Sequence, residues 1–167
     1  MVTLDTINDL EYLNWVIMEV LRIQAPLKCT TPLHLFQDTN IGGINIRKGD
    51  VLTIDIHAIH SDPKQWKKPD EFIPERFDHS NPISLTPSGK LRSNGAWIPF
   101  SGGTRICFGK TFAEATLKIS AIYFSQAFNY KFVDKRYETE LPVSVFGVNS
   151  RGRTTVIVTK NETAKEE

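Results

Sequence analysis

The densest chemistry in this sequence lies between Phe100 and Gly109, in the run Phe-Ser-Gly-Gly-Thr-Arg-Ile-Cys-Phe-Gly. Cys107 follows a glycine-rich loop and precedes a helical pattern, where unpaired backbone N–H groups and the helix dipole favour negative charge. Arg105 adds a cation two residues earlier, and Gly102, Gly103 and Gly109 let backbone come close to a flat or bulky ligand. A thiolate held this way is a nucleophile or a metal ligand. A lone cysteine in a glycine turn has a simpler reading as buried packing, because free cysteine is among the most buried residue types. Two other groups are weaker by themselves. Glu19 and Arg22 stand three residues apart on one helical face, which alone reads as a surface ion pair. Pro74-Glu75-Arg76-Phe77 reads as an ordinary loop. His57, His60 and His79 belong to no chemical motif, and packing or exposure is the default for each.

The elements that must position these residues follow from periodicity. Leu10, Leu13, Ile17 and Leu21 recur at helical spacing from Leu4 onward, with Trp15, Val16 and Val20 widening the apolar face. Asp5 or Thr6 is the expected cap and Ala25-Pro26 the stop. A face this wide predicts an apolar patch at Trp15, Val16 and Val20 in the chain alone. Leu33 to Phe36 is a short strand signal, followed by turns at Asp38–Asn40 and Gly42-Gly43. Val51 to Ile59 alternates apolar and polar, which predicts a half-buried strand. From Asp62 to Ser101 about forty proline-rich residues show little periodicity beyond one short helix near Lys64–Lys67, a stretch long enough to suggest function. A helix follows from Phe108 to about Phe128. Tyr130, Phe132 and Val143 to Val158 then alternate as strands, with turns at Gly147 and Ser150–Gly152.

Composition bounds the class. The chain has 167 residues, 40% hydrophobic and 23% charged, as an ordinary globular domain does. Its net charge of +1 gives no electrostatic case for nucleic acid. The two cysteines, Cys29 and Cys107, lie far apart and neither sits in a CxxC or CxxH spacing, so neither a disulfide scaffold nor a zinc site is indicated. No apolar run is long enough to span a membrane. Residues 1–20 carry Asp5, Asp9, Glu11 and Glu19 without Lys or Arg, unlike a signal peptide.

Phe100, Gly103, Arg105, Cys107 and Gly109 together match FxxGxRxCxG, a pattern expected by chance at fewer than about one position in a million. On these residues the sequence resembles the haem-binding loop of the cytochrome P-450 superfamily. Glu19-Val-Leu-Arg22 is similar to the family's ExxR, Pro74–Phe77 to its PERF segment, and Ala58–Pro63 with Trp66 to the stretch before PERF, all in family order. The resemblance runs from Leu4 to about Val158. It implies a mixed α and β piece of the mainly-α cytochrome P-450 fold. Its parts would be an ExxR helix, a short β-sheet, a meander loop, a Cys loop leading into a long helix, and a C-terminal β-hairpin. Residues 1–160 would be the proximal, C-terminal part of one such domain and 161–167 a charged tail.

The same resemblance implies a haem-thiolate monooxygenase. Cys107 would be the axial ligand of the iron of haem b. Arg105 would pair with a propionate, and Phe100 would pack beside the sulfur with Gly103 and Gly109 close to the ring. Glu19, Arg22 and Arg76 would form a structural triad beneath it. Leu33 and Phe146 would line the pocket of a hydrophobic small-molecule substrate. Electrons would come from NADPH through a reductase docking near Lys110, Lys118 and Arg92. There are two departures. The strand position that holds a propionate in many members is Leu33 here, with His34 one residue off. The family's oxygen-activating [AG]GxxT helix, upstream of ExxR, has no counterpart, since Asp38-Thr39 lies downstream among turn residues. The expectation is therefore a fragment or partial gene model that is inactive alone, from an endoplasmic reticulum protein if the parent is eukaryotic. A non-catalytic haem-binding remnant and a haem-thiolate isomerase or dehydratase are the alternatives.

Overall fold

The computed structural model describes residues 7, 9–133 and 156–161. Helix α1, Glu11–Ile23, carries Glu11 in its first turn and Arg22 in its last, a charge order that suits the helix dipole. It ends at Gln24, whose N–H returns to the carbonyl of Val20 at 2.7 Å, two residues before Pro26. Its buried positions are Ile17, Glu19, Leu21 and Arg22, so the helix is covered on two faces, hydrocarbon from Ile17 and Leu21 on one and charge from Glu19 and Arg22 on nearly the opposite one. The caps expected at Asp5 and Thr6 lie outside the described residues, as do Phe146, the turns at Gly147 and Ser150–Gly152, most of Val143 to Val158, and 162–167.

Among the described residues, three two-stranded antiparallel ladders follow. Strand β1, Leu33–His34, pairs with β4, Val51–Leu52; β2, Thr39–Ile41, pairs with β3, Ile44–Ile46. The β2–β3 turn is the pair Gly42-Gly43, with φ of +58° and +87°, values that favour glycine and match a two-residue hairpin. The strand expected over Val51 to Ile59 is corrected: after Leu52 the chain keeps only an isolated bridge between Cys29 and Asp55, then enters helix α2, Ile56–His60. Asp55 decides this. Its Oδ1 accepts the N–H of Ala58 at 2.8 Å, an N-cap that overrides a weak alternation.

The proline-rich stretch from Asp62 to Ser101 is ordered and holds a core. Trp66, Phe77 and Ala96 are buried together, with Trp15, Met18 and Trp97 packed against them. The rings of Trp66 and Phe77 lie 6.0 Å apart and those of Phe77 and Trp97 5.9 Å apart, within the range of favourable aromatic pairs. Trp15 thereby leaves the exposed patch expected of α1, and only Val20 of that trio is exposed. The short helix expected at Lys64–Lys67 is also corrected. Only a turn forms there, with Gln65 and Trp66 both donating to the carbonyl of Asp62, and the local 3-10 turns are Pro74–Phe77 and Pro82–Ser84. Helix α3, Lys110–Ala127, runs into β5, Phe128–Phe132, which pairs with β6, Val156–Lys160, along its whole length. Among the described residues no helix is long and apolar enough to cross a membrane.

Candidate functional site

Glu19 is fully buried and is the carboxylate of a guanidinium cluster. Arg22 approaches it with two nitrogens, Nε to Oε2 and Nη2 to Oε1, both at 2.8 Å, the fork geometry that arginine favours. Arg76 Nε donates to Oε1 at 2.9 Å, and the N–H of Ile73 donates to the same oxygen at 3.0 Å. The remaining guanidinium N–H groups serve backbone carbonyls. Arg22 Nη1 reaches His60 O, and Arg76 reaches the carbonyls of Lys67, Lys68 and Glu71. A meander with little regular structure leaves carbonyls without ladder partners, and these two side chains supply the missing donors. Burial holds the Arg76 guanidinium below its ordinary range, while the bond to Glu19 works the other way.

Arg92 sits in the same cluster. It is half-buried, its guanidinium lies 4.3 Å from the centre of the Trp66 ring, and its Nη2 donates to the carbonyl of Arg76 at 2.6 Å. Burial, then repulsion from Arg76, brings it down to about 10. A side chain engaged on both sides is not a docking residue, so Arg92 is removed from the surface patch with Lys110 and Lys118.

The cysteine loop begins after this core. Ser101 N–H closes a turn onto Ile98 O at 3.0 Å, Gly103–Arg105 forms a 3-10 turn, and Cys107 N–H donates to Phe100 O at 2.9 Å. Helix α3 is capped by Gly109 and starts at Lys110, so Cys107 stands two residues before the cap rather than in the first turn. Both Cys107 and Arg105 are exposed among the described residues, so Cys107 is not packed into a core there. They line one cavity of about 630 Å³ with Phe100, Gly103, Leu33 and Ile56 among others, a volume within the range of small-molecule pockets. His34 and Gly109 are not among its lining residues. A methyl group built on Gly102 or Gly103 meets nothing within 4 Å, and one on Gly109 would lie 3.8 Å from Cys107 Sγ.

Gly103 has a φ of +66°, a left-handed conformation that favours glycine. Gly103→Ala is expected to lower folding stability by about 1–2 kcal/mol, the cost of an L side chain in the left-handed region. Gly109→Ala, with negative φ and an ordinary contact, is expected to leave it nearly unchanged; denaturant midpoints of the two variants compare them.

His60 is a residue that sequence reasoning left at its default. It is fully buried, its Nδ1 lies 3.1 Å from Arg22 O, and its Nε2 accepts the N–H of Ile98 at 2.9 Å. The acceptor role at Nε2 puts the proton on Nδ1. Burial lowers its pKa from 6.5 to about 4, with the charges of Arg22 and His57 acting the same way against the bond to Arg22 O. The neutral form therefore stabilises the fold. Its contribution is complete above about pH 6.5 and is lost as the pH falls toward 4, where the unfolded chain binds the extra proton first. A loss of about 3 kcal/mol across that window is expected, and His60→Gln should flatten this part of a stability–pH curve.

The comparisons with known proteins agree on one lineage. The family model Cytochrome P450 matches residues 1–156. The chain is 35% identical over 144 residues to cytochrome P450 3A18 of Rattus norvegicus, covering 86% of this chain and 27% of that protein. It is 34% identical over 143 residues to cytochrome P450 3A7 of Homo sapiens, covering 86% of this chain and 26% of that one. Among solved structures, a retinoic acid-bound cyanobacterial CYP120A1 superposes with a TM-score of 0.79 at 29% identity, over 96% of this chain and 35% of that one. The chain thus spans about a quarter of the length of the curated relatives it matches.

Proposed function

Since the chain belongs to the cytochrome P450 family, a family of haem-dependent oxidoreductases, we propose that it supplies the haem-thiolate side of a monooxygenase. The observation that carries this reading is the shared cavity: an exposed cysteine, an exposed arginine and the backbone bared at Gly102 and Gly103 all line it. That donor set fits an iron porphyrin, which needs a soft axial ligand, a cation for a carboxylate, and a close flat approach. Cys107 gives the iron its thiolate and Arg105 holds a propionate. Phe100 excludes water beside the sulfur, and Gly103 and Gly109 keep side chains out of the way. When bound, haem b supplies the reductive activation of O₂ and the insertion of one oxygen atom into an organic substrate.

The rest of the protein's work follows from the same reading. Leu33, on the cavity wall, presents hydrocarbon to a hydrophobic substrate. Phe146, assigned the same role, lies outside the described residues. Electrons originate in NADPH and arrive through a reductase near Lys110 and Lys118, and a eukaryotic parent would reside at the endoplasmic reticulum membrane. The test is spectroscopic. Loaded with haem, reduced and exposed to carbon monoxide, the chain should show the red-shifted Soret band of a thiolate ligand, and a band at the position of a histidine ligand would refute the assignment of Cys107.

A further inference from the structure

The triad and the cysteine loop are separate pieces of chain, and something must hold one in register with the other. We propose that His60 is a positioning residue that transmits the placement of Arg22 to the cysteine loop by fixing the peptide N–H of Ile98. Each side chain of the Arg22–His60 pair bonds the other's backbone: Arg22 Nη1 donates to His60 O at 2.9 Å, and His60 Nδ1 donates to Arg22 O at 3.1 Å. The ring is therefore fixed at its near edge by α1. Its far edge, Nε2, accepts from Ile98 at 2.9 Å.

Ile98 is where the loop's course is set. Pro99 follows it and restricts Ile98 to extended backbone, so a fixed N–H fixes the direction in which the chain leaves. Ile98 O then takes the N–H of Ser101, and Phe100 O takes that of Cys107, so two further bonds carry the placement to the thiol-bearing residue. A second anchor acts one residue earlier, where Trp97 Nε1 donates to Met18 O of α1 at 3.2 Å. It holds a side chain, while His60 holds the backbone. The ring is suited to this because a neutral imidazole carries a donor and an acceptor on opposite edges of one rigid plane. Full burial and the low pKa keep it in that form at neutral pH.

The test uses amide hydrogen exchange on the 167-residue chain without haem, so its outcome is independent of which group Cys107 binds. Protection at Ile98, Ser101 and Cys107 is read relative to the amides of α1, which a uniform loss of stability would move equally. His60→Asn can replace the Nδ1 donor but does not reach Ile98, whereas the longer His60→Gln can place an oxygen where Nε2 stood. Exchange at Ile98 and Cys107 should accelerate about tenfold in the Asn variant and stay within about threefold in the Gln variant, as for one lost or kept hydrogen bond. Equal behaviour of the two variants at Ile98, or loop and α1 amides moving together in both, would overturn the proposal. If neither variant folds, an ester in place of the Trp97–Ile98 peptide removes the N–H alone. Cys107 should then lose protection relative to α1, and unchanged protection there is equally decisive against His60.

Discussion

Glu19→Ala is expected to cost about 3–5 kcal/mol of folding stability, the range for removing one partner from a buried charge network. Glu19 is fully buried and accepts four hydrogen bonds, two from Arg22, one from Arg76 and one from the backbone of Ile73. Without it, Arg22 and Arg76 remain buried with no carboxylate between them, and Arg92, over the Trp66 ring, adds a third positive charge nearby. Equilibrium denaturation in urea measures the loss. The protein contains its own control. Lys68 and Glu71 form an ion pair at 3.1 Å with both side chains more than half exposed, so Lys68→Ala should cost no more than about 0.5 kcal/mol. A Glu19→Ala cost as small as that of Lys68→Ala would mean that the cluster is not load-sharing. Combining Glu19→Ala with Arg76→Ala should add far less than the sum of the two, because either change already breaks the same network.

Cys107→Ser should have the opposite profile: a fold left almost intact and a complete loss of the thiolate Soret band in the haem-loaded, carbon monoxide-bound state. The side chain is exposed, and the loop is closed by the backbone N–H of Cys107 to Phe100 O, which serine keeps. Surface changes of this kind usually stay within about 0.5 kcal/mol. The function depends on sulfur, since a soft, electron-rich ligand is what an alcohol cannot reproduce. Thermal melts and the reduced carbon monoxide spectrum, taken on the same preparations, separate the two effects. A serine variant that keeps the band would remove Cys107 from the site.

The parts of this protein that were legible in its sequence are those set by neighbours in the chain. The spacing from Leu10 to Leu21 predicted α1, the Gly42-Gly43 pair predicted a turn, and the helical pattern from Phe108 onward predicted α3, which begins at Lys110. The glycine and cysteine spacing around Cys107 carried the resemblance to the cytochrome P-450 superfamily, the family to which the chain belongs. Where local signals competed, the reading failed: four alternating residues after Val51 suggested a strand, but one hydrogen bond from Ala58 to Asp55 made a helix instead.

Beyond the grouping of Glu19, Arg22 and Arg76 that the family resemblance implied, tertiary structure decided how the charged groups are used. Glu19 and Arg22 have the spacing of a surface pair, and burial came from Arg76, 57 residues further on, and from carbonyls of the meander. Arg92 is a basic residue in a loop by sequence, yet its guanidinium is spent on Trp66 and the carbonyl of Arg76. His60 carried no spacing signal at all, because its partners Arg22 and Ile98 are each 38 residues away. Periodicity reports which side of an element is apolar, since that depends on adjacent turns. Whether a charge is buried, and what satisfies it there, depends on segments that approach only when the chain has folded, and no local pattern encodes that approach.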